Sequence, residues 1–137
     1  MMSTVTVAEN FDWVKARSEC SLASVFHQLK LQITTYISQR NAMLPKDVGY
    51  IFKITGDSPD AFSAILAGIG VPNHIYQAID FILANREIVV RNRQVELFRG
   101  TVTLNDDGQC RLKMNGKEFT LWQVRKMALE IQFFEIV

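Results

Sequence analysis

Leu97–Phe134, LFRGTVTLNDDGQCRLKMNGKEFTLWQVRKMALEIQFF, contains two turn signals and one helix start in close succession. Asn105-Asp106-Asp107-Gly108 separates two alternating segments. It supplies side chains able to bond their own backbone and a glycine where φ > 0 is usually needed, the pattern of a β-hairpin. Asn115-Gly116 is the dipeptide preferred by a two-residue type I′ connection, so a short strand around Lys117 to Phe119 is predicted to fold back on Cys110 to Met114. Thr120 is then placed to act as N-cap with Gln123 as its reciprocal partner. Phe119 and Val124 have the spacing of a hydrophobic staple.

Upstream, the apolar positions Leu22, Val25, Phe26, Leu29, Ile33, Tyr36 and Ile37 recur at steps of three and four, predicting one long amphipathic helix between Ser21 and Met43. His27, Lys30, Leu31 and Thr34 occupy its far side, so the helix has a single buried stripe. Pro45 stops it, because the residue before a proline is pushed out of the α region. Gly49 to Thr55 reads as a strand and Gly56 to Asp60 as the following turn. Ala61 to Ala67 fits either a two-turn helix capped by Ser58 and stopped by Gly68, or a strand; the strand is preferred because its neighbours are strands. Ile75 to Leu83 and Ile88 to Val90, joined by Asn85-Arg86, read as a hairpin, and Leu97 to Leu104 leads into the hairpin described first. Residues 1–8 are read as a disordered tail or an edge strand.

The expected architecture is α+β: a long N-terminal helix packed on a curved antiparallel meander of five to six strands, closed by a C-terminal helix. The helix covers the apolar face of the sheet. A chain of 137 residues suits one domain spanning residues 1–137, able to bury roughly 68% of the surface its unfolded form exposes.

Apolar residues make up 48% and charged residues 21% of the chain, and the formal net charge is +1, so overall charge does not steer it toward nucleic acid or membrane. The first residues, MMSTVTVAENFDWVK, lack a basic n-region and an apolar h-region, and no apolar run approaches a membrane span; a cytoplasmic location is expected. Cys20 and Cys110 are isolated from each other in sequence and are expected to be buried, reduced thiols. No metal site and no cofactor is expected, since the chain lacks a P-loop, a GxGxxG, HExxH or GxSxG motif and paired cysteines. His27 is read as a surface residue and His74 as a loop residue without a nucleophile or carboxylate at a recognisable spacing. No catalytic residue is assigned.

Two surfaces remain for a partner. Alternation places Arg91, Arg99, Arg111 and Lys113 together on the outer face of the sheet, a candidate anion-binding platform; nearby Glu87, Glu96 and Glu118 and the lack of aromatic rings disfavour nucleic acid. On the C-terminal helix, steps of about 100° put Leu121, Val124, Ala128 and Ile131 on one side and Trp122, Leu129 and Phe133 nearly opposite. The second set is a candidate homodimer interface. The chain therefore reads as a non-enzymatic, self-associating binding module, with a small-molecule or anion binder, its pocket between long helix and sheet, as the alternative.

Overall fold

Seven antiparallel strands follow one another across a single sheet in the order of the sequence, β1 to β7. They are Tyr50–Ser58, Ala61–Gly68, Ile75–Ala84, Glu87–Asn92, Val95–Leu104, Cys110–Met114 and Lys117–Phe119. Before them come α1 (Trp13–Glu19) and α2 (Leu22–Ala42), and after them α3 (Leu121–Glu130), which runs into a π-helical turn at Ile131–Glu135. The computed structural model describes residues 9–70, 74–93 and 95–135; the reading of residues 1–8 lies outside them. This is the expected α+β plan with one more strand than the sequence suggested. Every short strand, including Lys117–Phe119, joins the meander.

The local turn chemistry accounts for the connections. Asn115 and Gly116 have φ of 51° and 77°, and Asn85 and Arg86 have 53° and 63°, so both hairpins use consecutive left-handed residues as a type I′ turn requires. Ala61–Gly68 is a strand: it pairs with β1 on one side (Phe52 opposite Leu66) and β3 on the other (Phe62 opposite Phe81). A ladder on both sides satisfies more backbone groups than a two-turn helix could. The two halves of β5 have different partners. Its first half pairs with β4 up to Gly100 opposite Ile88, and its second half pairs with β6 from Thr101 opposite Lys113. A Cβ on Gly100 would lie 2.6 Å from the Lys113 carbonyl oxygen, so the close approach of β6 requires glycine there.

α2 lies on the inner face of this sheet. Val25, Phe26, Leu29, Ile33 and Ile37 are buried against Phe52, Phe62, Leu66, Phe81, Val90 and Leu112. Phe62 stacks on Phe81 with ring centroids 4.7 Å apart, and Phe26 tilts against Phe62 at 5.2 Å. The space between α2 and the sheet is thus filled by aromatic and branched side chains. Ser21 caps α2 by accepting from the Ser24 amide at 3.1 Å. At its other end Asn41 pairs with the edge strand: its amide nitrogen donates to the Phe52 carbonyl at 2.8 Å, and its oxygen accepts from the Phe52 amide at 2.9 Å. One side chain here does what a neighbouring strand would do.

The cysteines depart from expectation. Cys20, in the break between α1 and α2, is bonded to Cys110 at the start of β6, with Cα atoms 5.5 Å apart. They are not free thiols; a pairing across 90 residues of separation cannot be read from spacing that matches no motif. α1 buries none of its residues, so the bridge is the covalent link between the α1–α2 junction and the sheet.

Candidate functional site

α3 begins as expected. The Thr120 amide donates to the Gln123 side-chain oxygen at 2.9 Å, and the Gln123 amide donates to the Thr120 hydroxyl at 3.4 Å, a complete capping box. From there α3 lies beside α2. Its buried residues are Val124, Ala128 and Leu129, followed in the π-helical turn by Gln132 and Phe133.

That set corrects the reading of two opposed apolar sides. Val124 and Ala128 form one edge, Leu129 and Phe133 the other, and the residues between them, Gln132 and Arg125, are drawn inward by hydrogen bonds. Gln132 is 1% exposed and donates to the Ala64 carbonyl at 3.0 Å; Arg125 donates to the Tyr36 hydroxyl at 2.8 Å. The two sides are margins of one broad buried face. Ile131, assigned to the first side, is 59% exposed. Of the proposed interface residues, Leu129 and Phe133 belong to the core, Phe133 meeting Phe52 edge-on at 5.0 Å, whereas Trp122 is 56% exposed. The polar pattern concealed this, because a buried glutamine and a half-buried arginine look like solvent-facing residues.

Between the two helices lies a cleft of about 300 Å³. Its α2 wall is Tyr36, Gln39 and Arg40, continued by Met43 at the helix C-cap, at steps of three and four along one side. Opposite stand Trp122, Arg125, Lys126 and Glu130 of α3, with Leu129 and Phe133 contributing from the core and Phe134 from the π-helical turn. The expected location between long helix and sheet is corrected accordingly: that space is packed, and the opening lies between α2 and α3.

Two guanidiniums are fixed here in the same way. Arg40 donates from Nε to the Phe133 carbonyl at 2.7 Å, satisfying a carbonyl near a helix end, and its Cζ lies 4.8 Å from the Phe134 ring centroid. Arg125 donates from Nε to Tyr36, with its Cζ 5.5 Å from that ring centroid. Among the described residues, neither makes an ion pair with a carboxylate, because Glu130 is paired with Lys126 at 3.1 Å. The Glu130 carboxylate in the cleft wall is matched by Lys126, so the two guanidiniums, set among aromatic rings, are its uncompensated charges.

The outer sheet face is different. Arg91, Arg99, Arg111 and Lys113 do lie together there, alternating with the core residues Val90, Phe98, Leu112 and Met114. Yet Arg99 pairs with Glu96 and, at 3.5 Å, with Glu87; Arg111 pairs with Asp107 at 2.6 Å; and Glu118 stands opposite Lys113 in the ladder. Hydrogen bonding from Arg99 holds the Glu96 carboxyl below its ordinary range, and Arg111 does the same to Asp107. Carboxylates kept charged beside the arginines remove most of the local positive potential. Sequence alternation located this face, but its ion pairs are set by side-chain reach.

His27 and His74 are both exposed, and neither lines the cleft. His74 packs edge-on against Tyr76 at 4.4 Å. Among the described residues, no three His, Cys, Asp or Glu side chains gather as a metal site would require, and no helix is long and apolar enough to cross a membrane. No protein-family model, curated protein or solved structure matches the chain.

Proposed function

We propose that this protein is a non-enzymatic binding module whose working site is the cleft between α2 and α3. One observation carries the reading: an apolar opening of about 300 Å³ with Leu129 and Phe133 contributing from the core and aromatic side chains at its margins, in the size range of small-ligand sites, roughly 300–1,000 Å³. Among the described residues that line the cleft, no nucleophile is paired with a base; its side chains hold and orient. Native mass spectrometry of protein purified under mild conditions tests the reading. A stoichiometric adduct that is lost when Met43→Asp places a charge in the cleft supports it, and an adduct unaffected by that change contradicts it.

Self-association is the second reading, and a separate observation favours it. Trp122 and Phe134, which both border the cleft, are 56% and 61% exposed, a large apolar edge along α3 and its continuation. A twofold contact would cover this edge with its own copy. Trp122→Asp with Phe134→Asp would leave a folded monomer by light scattering if the edge is the contact; an unchanged dimer would exclude it. Substituting Leu129 or Phe133 would not serve, since both are core residues.

In the cytoplasmic location expected from the sequence, cysteines are ordinarily kept as thiols. The Cys20–Cys110 bond favours an oxidising setting instead.

A further inference from the structure

We infer that the ligand of the α2–α3 cleft is a small amphipathic carboxylate, its apolar body held between the helices and its head gripped by Arg40 and Arg125. The inference rests on the proposed function and adds the chemical class.

Both guanidiniums are anchored through Nε, Arg40 to the Phe133 carbonyl and Arg125 to the Tyr36 hydroxyl. Anchoring at Nε leaves each guanidinium's two terminal NH₂ groups for another acceptor, and it fixes the plane in which they point. A carboxylate presents two acceptor oxygens in a plane, the geometry a guanidinium edge matches. Because each arginine is already oriented by its own bond and by an aromatic neighbour, little side-chain freedom remains to be lost when an anion arrives.

Charge and lining together narrow the class. Lys126 and Glu130 neutralise each other, so the uncompensated charge at the cleft is that of the two arginines. A polyphosphate would need more cations and less apolar wall. A neutral apolar ligand would leave both guanidiniums partly covered without an acceptor, which is unfavourable. A cation would be repelled. The volume, at the lower end of the ligand-site range, favours a free small molecule over a protein segment, which would need a longer groove.

The experiment uses the full chain with Trp13→Phe, which leaves Trp122 at the cleft as the one tryptophan of the two. Its fluorescence is followed on adding decanoate, decanol or decyltrimethylammonium as monomers at pH 7. Decanoate is expected to saturate at one per chain and to bind at least about tenfold more tightly than decanol, the size of a lost hydrogen bond to a charged group. Arg125→Gln and Arg40→Gln are each expected to weaken decanoate by about tenfold while leaving decanol unchanged. A variant that had merely lost its fold would lose decanol as well, and the three-probe comparison on the parent chain stands without the variants.

Equal binding of decanoate and decanol, or tighter binding of the cation, overturns the carboxylate inference and leaves the cleft as a binding site. Binding of an acidic helical peptide where decanoate fails overturns it equally, with the site retained. Failure of every probe overturns both.

Discussion

Arg125 on α3 donates from Nε to the hydroxyl of Tyr36 on α2 across 2.8 Å, and this bond links the two helices directly at the cleft. With the Arg40 to Phe133 carbonyl bond at 2.7 Å, it ties α3 and its π-helical continuation to α2 by two polar contacts.

Tyr36→Phe removes the acceptor and keeps the ring. A loss of about 1 kcal/mol in urea unfolding is expected, the usual net worth of one hydrogen bond. Arg125→Met on the Tyr36→Phe background should add less than it does alone, because the two residues share the interaction. Full additivity in that cycle would show that the pair does not interact.

Thr120→Ala removes one half of the capping box at the start of α3. It should cost about 1 kcal/mol by thermal or urea melting, the typical loss of an N-cap. Coincident melts for variant and parent would show that the cap contributes nothing.

How much of this was legible in the sequence follows from the range of each interaction. Asn115-Gly116 and Thr120 with Gln123 are settled within a few residues, so their turn and cap could be read directly. Ala61–Gly68 was ambiguous because its partners, β1 and β3, decide it. Cys20 and Cys110 come together only when the meander brings β6 against the α1–α2 junction. The broad buried face of α3 was split in two by Arg125 and Gln132, whose acceptors, the Tyr36 hydroxyl and the Ala64 carbonyl, lie 89 and 68 residues away. The cleft inherits that difficulty: Tyr36 reads as part of the stripe that covers the sheet and Arg40 carries no signal of its own, and only α3 beside them makes them one wall.

The Cys20–Cys110 bond closes a loop with a sequence separation of 90, for which chain-entropy arithmetic gives roughly 4–5 kcal/mol of stabilisation. Protein prepared without reductant should show no titratable thiol after denaturation, and dithiothreitol should lower its urea midpoint. Two thiols per chain in the unreduced, denatured protein would contradict the bond.

Glu96 and Asp107 have folded-state carboxyl pKa values below their ordinary ones because Arg99 and Arg111 hydrogen-bond their charged forms. A depressed carboxyl contributes its stabilisation above the unfolded pKa and loses it as pH falls through the folded one. Carboxyl-carbon NMR should therefore place both midpoints below the usual Glu and Asp values. Arg99→Gln should return Glu96 upward and leave Asp107 in place; a Glu96 midpoint unmoved by that change would remove Arg99 as the cause.

The central claim is that ligands enter beside Trp122. The two tryptophans provide an internal control, since Trp13 lies on α1, whose residues do not line the cleft. In a ¹H–¹⁵N spectrum of the parent chain titrated with decanoate, the indole signal of Trp122 should move and saturate while that of Trp13 stays in place. Both signals moving together without saturation, or Trp122 remaining still, would contradict the assignment of the α2–α3 cleft as the site.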